Sequence, residues 1–248
     1  MHPSVRDRYI DLLTRVVINS IYCDPSIHPD NTGIYRPELR EQGLDWPAVG
    51  HSMVGQRRIE NLRGLAQQAL EEGVPGDFIE TGVWRGGCCI LMRGILAAYD
   101  VSDRKVYACD SFEGLPPPNP KAFPADEGLN LQEYKELSVS LDQVKSNFSR
   151  YGLLDEQVVF VKGWFSETLP KLEVGSLALM RLDGDLYEST SAALESLYPK
   201  LSSGGFVIID DYHAFAACAQ AVENYRAQNN IHAPLHQIDW AGSWWRKP

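Results

Sequence analysis

The sequence has no long apolar run, few cysteines and no excess of positive charge. Without a stretch of roughly 18 apolar residues, a membrane-spanning helix is not expected. The N-terminus is polar and then amphipathic, and lacks the apolar core of a signal peptide. The cysteines are odd in number, two are adjacent, and no CxxC pair occurs, which argues against a disulfide framework and against zinc. We therefore expect a reduced, cytoplasmic protein with no membrane partner.

The charge balance is acidic. The formal net charge is -10 and no basic stripe stands out, so nucleic acid is not an expected partner. At 248 residues with 44% hydrophobic residues, the chain is long enough for one domain, or for one domain with an extension.

The first part of the chain, residues 1–73, is predicted to be a helical extension with a lid loop. Residues 5–22 and 53–72 have the apolar spacing of helices. Between them, residues 23–47 are rich in Pro, Gly, Asn and Asp and should be irregular. Long loops in compact domains are often lids or binding surfaces. The aromatic and histidine side chains near this loop could cover a ligand or could equally pack the extension onto the core; they are Tyr35, Trp46 and His51.

From residue 74 to 248 strands and helices alternate, which predicts an α/β core. The predicted strands lie near residues 77–79, 105–109, 158–161, 177–182 and 206–209, with a terminal pair at 235–239 and 243–246. The first predicted helix of this core begins after residue 87, and three further helices are predicted at 140–151, 188–201 and 215–228. The stretch 126–135 is polar and is expected to be mobile.

The stretch DFIETGVWRGG at residues 77–87 reads as a strand, a glycine turn and the start of a helix. This is the first unit of a nucleotide-binding α/β domain. The glycines let a ligand approach the backbone, and the helix start offers free N–H groups. The spacing differs from the dinucleotide fingerprint GxGxxG. It indicates a nucleoside without a pyrophosphate, such as S-adenosylmethionine (SAM), unless the turn only connects two elements.

Two residues at later strand ends extend the nucleoside hypothesis. Asp110 ends the second strand, where an acid can bind ribose hydroxyls, although a solvated acid is the alternative. Trp164 follows the third strand and could stack on an adenine ring or belong to the core.

Four acids follow two further strands of the predicted sheet. Asp183 and Asp185 end one strand, and Asp210 and Asp211 end the next. Ligands of open α/β sheets bind at the carboxyl ends of strands. Clustered carboxylates repel unless they are protonated or neutralised, and oxygen ligands favour Mg²⁺, Mn²⁺ or Ca²⁺. Helix capping is the alternative, but caps account for one acid at each strand end.

The motifs DFIETGVWRGG, ACDSFEGLP, VVFVKGWFSETLP, LMRLDGDLYEST and GGFVIIDDYH occur in this order. Together they resemble the macrocin O-methyltransferase (TylF-type) family of SAM- and metal-dependent sugar O-methyltransferases. The resemblance runs from about residue 10 to the C-terminus. It implies a Rossmann-like class I methyltransferase sheet, mostly parallel with an antiparallel C-terminal strand and helices on both faces.

The resemblance also implies roles for individual residues. Those that would hold the methionine part of SAM are Glu80, Thr81, Gly82 and Val83. Those around the adenosine are Asp110 for the ribose, then Ser111, Phe112, Asp142 and Trp164, with Met53 in the segment that closes over SAM. The metal-binding acids would be Asp183, Asp210 and Asp211, with Asp185 as general base. His213 is an alternative base or a hydrogen-bonding partner of the site.

The expected reaction is SAM-dependent and Mg²⁺-dependent methylation of a hydroxyl on a small-molecule acceptor, a deoxysugar glycoside of a natural-product pathway. A metal-dependent enzyme for a catechol, phenolic or polyketide-type hydroxyl is the alternative, since vicinal diols of either kind can chelate a cation. A non-enzymatic SAM- or metal-binding module is a third hypothesis. The resemblance further implies a homodimer or higher homo-oligomer.

Overall fold

The computed structural model describes residues 3–248, and its centre is a seven-stranded sheet. The strands are β1 (Asp77–Thr81), β2 (Val106–Asp110), β3 (Val158–Lys162), β4 (Leu177–Leu182), β5 (Leu201–Ile209), β6 (His236–Gln237) and β7 (Ser243–Arg246). Their spatial order is β3-β2-β1-β4-β5-β7-β6. Strands β1 to β5 pair in parallel, whereas β7 is antiparallel to both of its neighbours. The predicted mostly parallel sheet with an antiparallel C-terminal strand is therefore confirmed.

Helices lie on both faces of the sheet. They are α1 (Val5–Val17), α2 (Pro37–Gln42), α3 (Gly55–Glu71), α4 (Gly87–Ala98), α5 (Leu141–Arg150), α6 (Phe165–Thr168), α7 (Tyr187–Leu197) and α8 (Ala216–Gln228). Across residues 3–248, no helix combines the length and apolarity that a membrane crossing requires.

Two apolar clusters sandwich the sheet because successive strand residues face opposite sides. Phe78 of β1 packs in a cluster with residues of α1, α3, α4 and α5. The next residue, Ile79, packs in a second cluster with residues of α7 and α8. The central strands are buried on both faces, which explains their continuous apolar sequences.

The N-terminal helices share the first of these clusters. Helix α1 packs on α4 at Gly94, where an added Cβ would lie 2.1 Å from Cδ2 of Leu13. Ile10 and Leu62, from α1 and α3, are buried in the same cluster as Phe78. The boundary at residue 73 stays a prediction, but the residues before it bury apolar surface against the sheet.

Several elements differ in extent from their predictions. Helix α1 ends at Val17 because Asn19, two residues later, adopts the left-handed conformation with φ +50°. Helix α7 ends at Leu197, where a turn containing Pro199 begins. Helix α2 lies within the stretch that was expected to be irregular.

Strand β5 is longer than predicted. It begins at Leu201, and Gly204 and Gly205 lie inside it. Gly204 has φ +80°, and the β4–β5 pairing shifts register between Leu177 and Leu179. A β-bulge at Gly204 and Gly205 allows the strand to continue past the two glycines, which were predicted to precede it.

Gly82 brings the end of β1 against the end of β4. Its φ is +82°, and a Cβ added there would lie 1.8 Å from the carbonyl oxygen of Asp183. The contact is with backbone, which cannot move aside as a flexible side chain can. Glycine is therefore required at this position by both conformation and space.

We expect Gly82→Ala to lower the free energy of unfolding by about 2 kcal/mol or more, because the methyl group meets the Asp183 backbone in a conformation that alanine disfavours. The matched control is Gly64→Ala in α3, where nothing lies within 4 Å of the added Cβ. That change should stabilise by roughly 0.5–1 kcal/mol. Urea unfolding of both variants measures the difference. A Gly82→Ala protein as stable as wild type would contradict the requirement for glycine at this position.

Candidate active site

A cleft of about 1120 Å³ opens at the carboxyl ends of β1, β2, β4 and β5. This is the edge where the sequence predicted the site. Its inner part is lined by the turns that follow these strands. Its outer wall, the name used below, is formed by His28, Leu44, Trp46, residues 116–121, Phe215 and Trp240.

The turn after β1 contributes Gly82 and Val83 to the cleft. Asp110, at the end of β2, is bonded to this turn. One of its carboxylate oxygens accepts the N–H of Val83 at 2.7 Å, and the other accepts the N–H of Phe112 at 2.7 Å. Burial raises the pKa of Asp110 against the opposing effect of these bonds. Oγ of Ser111 also lies 3.4 Å from Oδ1, so Oδ2 is the oxygen with the freer lone pair for a ribose hydroxyl.

Glu80 lies beneath the same turn and is only 1% exposed. Arg181 of β4 donates to its carboxylate at 2.5 Å, and the thiol of Cys89 donates at 2.8 Å. Burial, which outweighs the effect of Arg181, raises the pKa of Glu80 to about 7. Glu80 also lines the cleft, and its role near the methionine part of SAM stays a prediction.

The remaining cofactor predictions divide into two groups. Met53, Ser111 and Trp164 line the cleft. Thr81, Phe112 and Asp142 do not: Thr81 is buried, Phe112 packs against Phe160 with ring centroids 6.4 Å apart, and Asp142 is exposed in the first turn of α5. Of the ten predicted cofactor residues, seven therefore line the cleft and three do not.

Three acids meet at the inner end of the cleft. Asp183, Asp185 and Asp211 each offer a carboxylate oxygen within 4.8 Å of the others. Burial and neighbouring Asp210 raise the pKa of Asp183 to about 6. Burial and mutual repulsion raise the pKa values of Asp185 and Asp211 well above the ordinary range. The cluster thus has the all-oxygen donor set of a hard divalent cation, and it is under charge repulsion that such a cation relieves.

Asp210 is not part of this cluster. Its carboxylate is paired with Arg58 of α3 and, at 2.5 Å, with Arg181. Burial alone would raise its pKa, but Arg181 and Arg58 outweigh burial and lower it. Adjacent residues at a strand end face opposite ways, so Asp211 joins the acids while Asp210 joins the arginines. The observed cluster therefore contains Asp185, whereas the predicted set of metal ligands contained Asp210.

Asp185 is also strained. Its φ is +55°, and two other non-glycine residues that follow strands share this left-handed conformation, Trp84 after β1 and Phe112 after β2. Such conformations cost energy and persist where the surroundings hold them, which is common at functional sites. The Asp185 carboxylate lines the cleft.

His213 lies outside the cleft wall. Its side chain is exposed at the surface, and its Nε2 is hydrogen-bonded to Oγ of Ser243 at 3.0 Å. His213 follows Asp210 and Asp211 in sequence, but the fold does not bring its side chain into the acid cluster.

The sequence reasoning missed the cations of the site. Arg181 is 2% exposed and Arg58 is 7% exposed, and both line the cleft between the acids. Arg58 also donates to Asp239 at 3.1 Å, in the loop between β6 and β7. Arg181 was detectable as the single charge in the apolar strand LALMRL, whereas nothing in the periodicity of α3 distinguishes Arg58.

The lid loop is held by a buried arginine. Arg40 pairs with Asp24 at 2.9 Å and with Asp45 at 2.8 Å, and all three are nearly inaccessible. Arg85, from the turn after β1, donates to the carbonyl oxygens of Pro47, Ala48 and Gly50. The loop is therefore bonded to the glycine turn.

Two of the three lid side chains singled out from the sequence line the cleft. Trp46 packs edge-on against His28, and His51 lies near the start of α4. Tyr35 instead packs against Arg40, and the guanidinium carbon of Arg40 lies 5.3 Å from the centroid of the Tyr35 ring.

Comparison with known proteins identifies the family. The profile of the macrocin O-methyltransferase (TylF) family matches residues 6–247. The chain belongs to this family. It is an O-methyltransferase, and its sheet is the class I SAM-dependent methyltransferase fold that the resemblance implied.

Individual relatives are similar over nearly the whole chain. The 8-demethyl-8-(2,3-dimethoxy-alpha-L-rhamnosyl)-tetracenomycin-C 4'-O-methyltransferase of Streptomyces olivaceus is 49% identical over 99% of this chain and 95% of its own length. The mycinamicin III 3''-O-methyltransferase of Micromonospora griseorubida is 47% identical over 100% of this chain and 99% of its own. The solved structure of the O-methyltransferase NovP has a TM-score of 0.94 at 46% identity, covering 98% of this chain and 99% of that one.

Removing Arg181 should destabilise the protein strongly. We expect Arg181→Met to lower the free energy of unfolding by about 3–5 kcal/mol, because it leaves Glu80 buried without its cation and leaves Asp210 with Arg58 alone. The control is Arg63→Met, which breaks the partly exposed 3.5 Å pair with Asp11. That change should cost at most about 1 kcal/mol. Equal losses in the two variants, measured by denaturant unfolding, would contradict a central role for Arg181.

Proposed function

We propose that this protein transfers the methyl group of SAM to a hydroxyl of a sugar carried by a natural product, with Mg²⁺ bound at the carboxylate cluster. The observation that carries the proposal is the position of the cluster. Asp183, Asp185 and Asp211 lie in the same cleft as the turn after β1, and Gly82 of that turn contacts the backbone of Asp183. A donor and an acceptor bound in this cleft would therefore meet beside the acids.

SAM would occupy the inner cleft next to Gly82. Glu80 and Val83 would face its methionine part, Asp110 its ribose and Trp164 its adenine, with Met53 closing over it. The remaining acceptor capacity of Asp110 Oδ2 and the backbone that glycine leaves open at the turn support this placement. Thr81, Phe112 and Asp142 would act through the backbone or by shaping the pocket, because their side chains do not line the cleft.

Mg²⁺, or Mn²⁺ or Ca²⁺ in its place, would bind among the cluster carboxylates. Asp183 and Asp211 are common to the predicted set and the observed cluster. For Asp210 to join as the third predicted ligand, its carboxylate would have to share Arg58 and Arg181 with the cation. When bound, a divalent cation would lower the pKa of an acceptor hydroxyl and orient it.

Asp185 would accept the proton of that hydroxyl. Its carboxylate lines the cleft beside Asp183 and Asp211, where the acceptor hydroxyl would be bound. The deprotonated oxygen would then attack the methyl carbon, the carbon–sulfur bond would break, and S-adenosylhomocysteine would leave. Because the methyl group is already activated on sulfonium, the protein's main task is to align oxygen, carbon and sulfur.

The outer wall supports a glycoside acceptor. Its aromatic and proline rings suit an apolar scaffold that carries the sugar. Lys121 is the cation of this wall, while Asp30 and Glu188 also line the cleft, so a nucleotide diphosphate would meet little positive charge there. The relatives named above act, by their names, on a rhamnosyl tetracenomycin and on mycinamicin III.

We also propose a reducing, cytoplasmic location and a homodimer. All five cysteines are free and four are buried, as suits a reducing compartment. Val5 and Leu12 of α1 are 86% and 54% exposed, which supports a second subunit as the partner of this helix.

Asp185→Asn should abolish turnover while leaving SAM affinity near that of wild type, because the amide cannot accept the proton but retains the shape of the side chain. Methyl transfer to a panel of rhamnosides and catechols, with SAM binding by calorimetry, measures both. Full activity in the variant would remove Asp185 as the base. If the wild type methylates catechols and no rhamnoside, a catechol would replace the glycoside as the proposed acceptor.

Mg²⁺ should raise the Tm of the wild-type protein in chelator-stripped buffer, because it relieves repulsion among the cluster acids. A cation at about 100 times its dissociation constant adds roughly 2.7 kcal/mol to the free energy of unfolding. Asp211→Asn should remove most of this shift, whereas Asp103→Asn, which changes an exposed acid before β2, should retain it. Equal shifts in the two variants would place the cation elsewhere.

A further inference from the structure

One buried carboxylate outside the acid cluster binds the start of α7. Asp126 lies in the turn Pro124–Asp126 of the loop between β2 and α5, and it is 0% exposed. Its Oδ1 accepts the backbone N–H of Tyr187 at 2.6 Å, and its Oδ2 accepts that of Glu188 at 3.2 Å. The sequence predicted a polar, mobile segment here, so the burial of its first residue is a difference that requires an explanation.

Helix α7 has no cap of its own. Leu186 occupies the N-cap position and makes no side-chain hydrogen bond. The first N–H groups of a helix lack partners within the helix, and negative charge near them is favourable. Asp126 supplies both acceptors and the charge from 61 residues away in sequence.

The capped end of α7 directly follows the proposed base. Only Leu186, itself 1% exposed, separates Asp185 from Tyr187. Asp185 has φ +55°, a conformation that its surroundings must maintain. On one side its N–H donates to Asp211 at 3.3 Å, and on the other side the chain enters the turn that Asp126 caps.

The loop that carries Asp126 also forms part of the outer wall. Residues 116–121 line the cleft, and Phe123 then packs on the ring of Tyr187 with centroids 6.1 Å apart. The Asp126 bonds therefore join the wall segment to the helix start that holds Asp185. A single carboxylate of the loop after β2 thus accepts two N–H groups of the helix that follows Asp185.

We propose that Asp126 is a positioning residue, which aligns Asp185 with the outer wall by capping α7. The inference rests on the proposed function for the role of Asp185 and the acceptor. Asp126 does not line the cleft, so it acts through the backbone of Tyr187 and Glu188.

The test compares Asp126→Ala and Asp126→Asn with wild type, well below the lowest Tm. Removing both acceptors should lower kcat by about 10- to 100-fold, since small misplacements of reacting groups have effects of this size. The KM for the acceptor should rise as the wall segment loosens, while the Kd for SAM stays unchanged. Asp126→Asn retains one carbonyl oxygen, so its kcat should lie between those of the other two proteins.

The matched control is Ser4→Ala, which removes the cap of a helix remote from the cleft. Ser4 Oγ accepts the N–H of Asp7 at 3.1 Å. This variant should lose stability while its kcat and both KM values stay at the wild-type level. A kcat and an acceptor KM of Asp126→Ala that equal those of wild type would overturn the proposal and leave only a structural cap.

Hydrogen exchange tests the proposal without any methyl-acceptor substrate. Asp126→Ala should speed exchange in residues 185–188 and in residues 115–123, and Ser4→Ala should speed it in neither. Unchanged exchange in either segment of Asp126→Ala would overturn the coupling. If the wild type methylates no glycoside, the proposed function fails, and the exchange result still decides whether Asp126 couples the segments.

Discussion

The site depends on a guanidinium that is buried in the middle of the sheet. Arg181 lies within β4 between Glu80 of β1, Asp210 after β5 and Asp183 at the end of its own strand. Burying these carboxylates without a cation would be prohibitively costly. Because Arg181 and Arg58 compensate the deeper acids, the three outer acids can remain close together with raised pKa values. The arginines thus neutralise Glu80 and Asp210, while Asp183, Asp185 and Asp211 form the acid cluster.

The parallel sheet supplies the second condition, since it delivers five strand ends to one edge. The close approach of Gly82 to Asp183 then joins the turn after β1 to the acid cluster. The cleft wall is built by segments inserted before and between these elements. Each segment is fastened by a few polar side chains: Arg40 and Arg85 bind the loop at residues 23–50, and Asp126 binds the loop after β2 to α7.

Much of this arrangement was predictable from local sequence. Apolar runs and helical spacing identified the order of strands and helices, and acids after two strands predicted their meeting at one edge. The bounds were less accurate where a single backbone conformation decided them, as at Asn19 and Gly204. The placement of Phe112 and Asp142 away from the cleft also depends on side-chain direction, which spacing does not determine.

Residues whose partners are distant in sequence could not be identified in this way. Arg58 contacts Asp210 and Asp239, and Asp126 contacts the start of α7, across separations of 152, 181 and 61 residues. In the sequence each is one polar residue among many, because a hydrogen bond leaves no local periodic signal. The exchange of Asp185 for Asp210 in the acid cluster has the same origin, since the arginines that bind Asp210 come from two other elements.

By itself, then, the sequence determined the α/β core, the edge that carries the site and the family, because these follow from periodicity and from motifs within short stretches. Only the tertiary structure decided which carboxylates share a cluster, which are neutralised by arginine, and which loop fastens the helix behind Asp185. Those choices are made by charges and hydrogen-bond donors that meet only after the chain has folded.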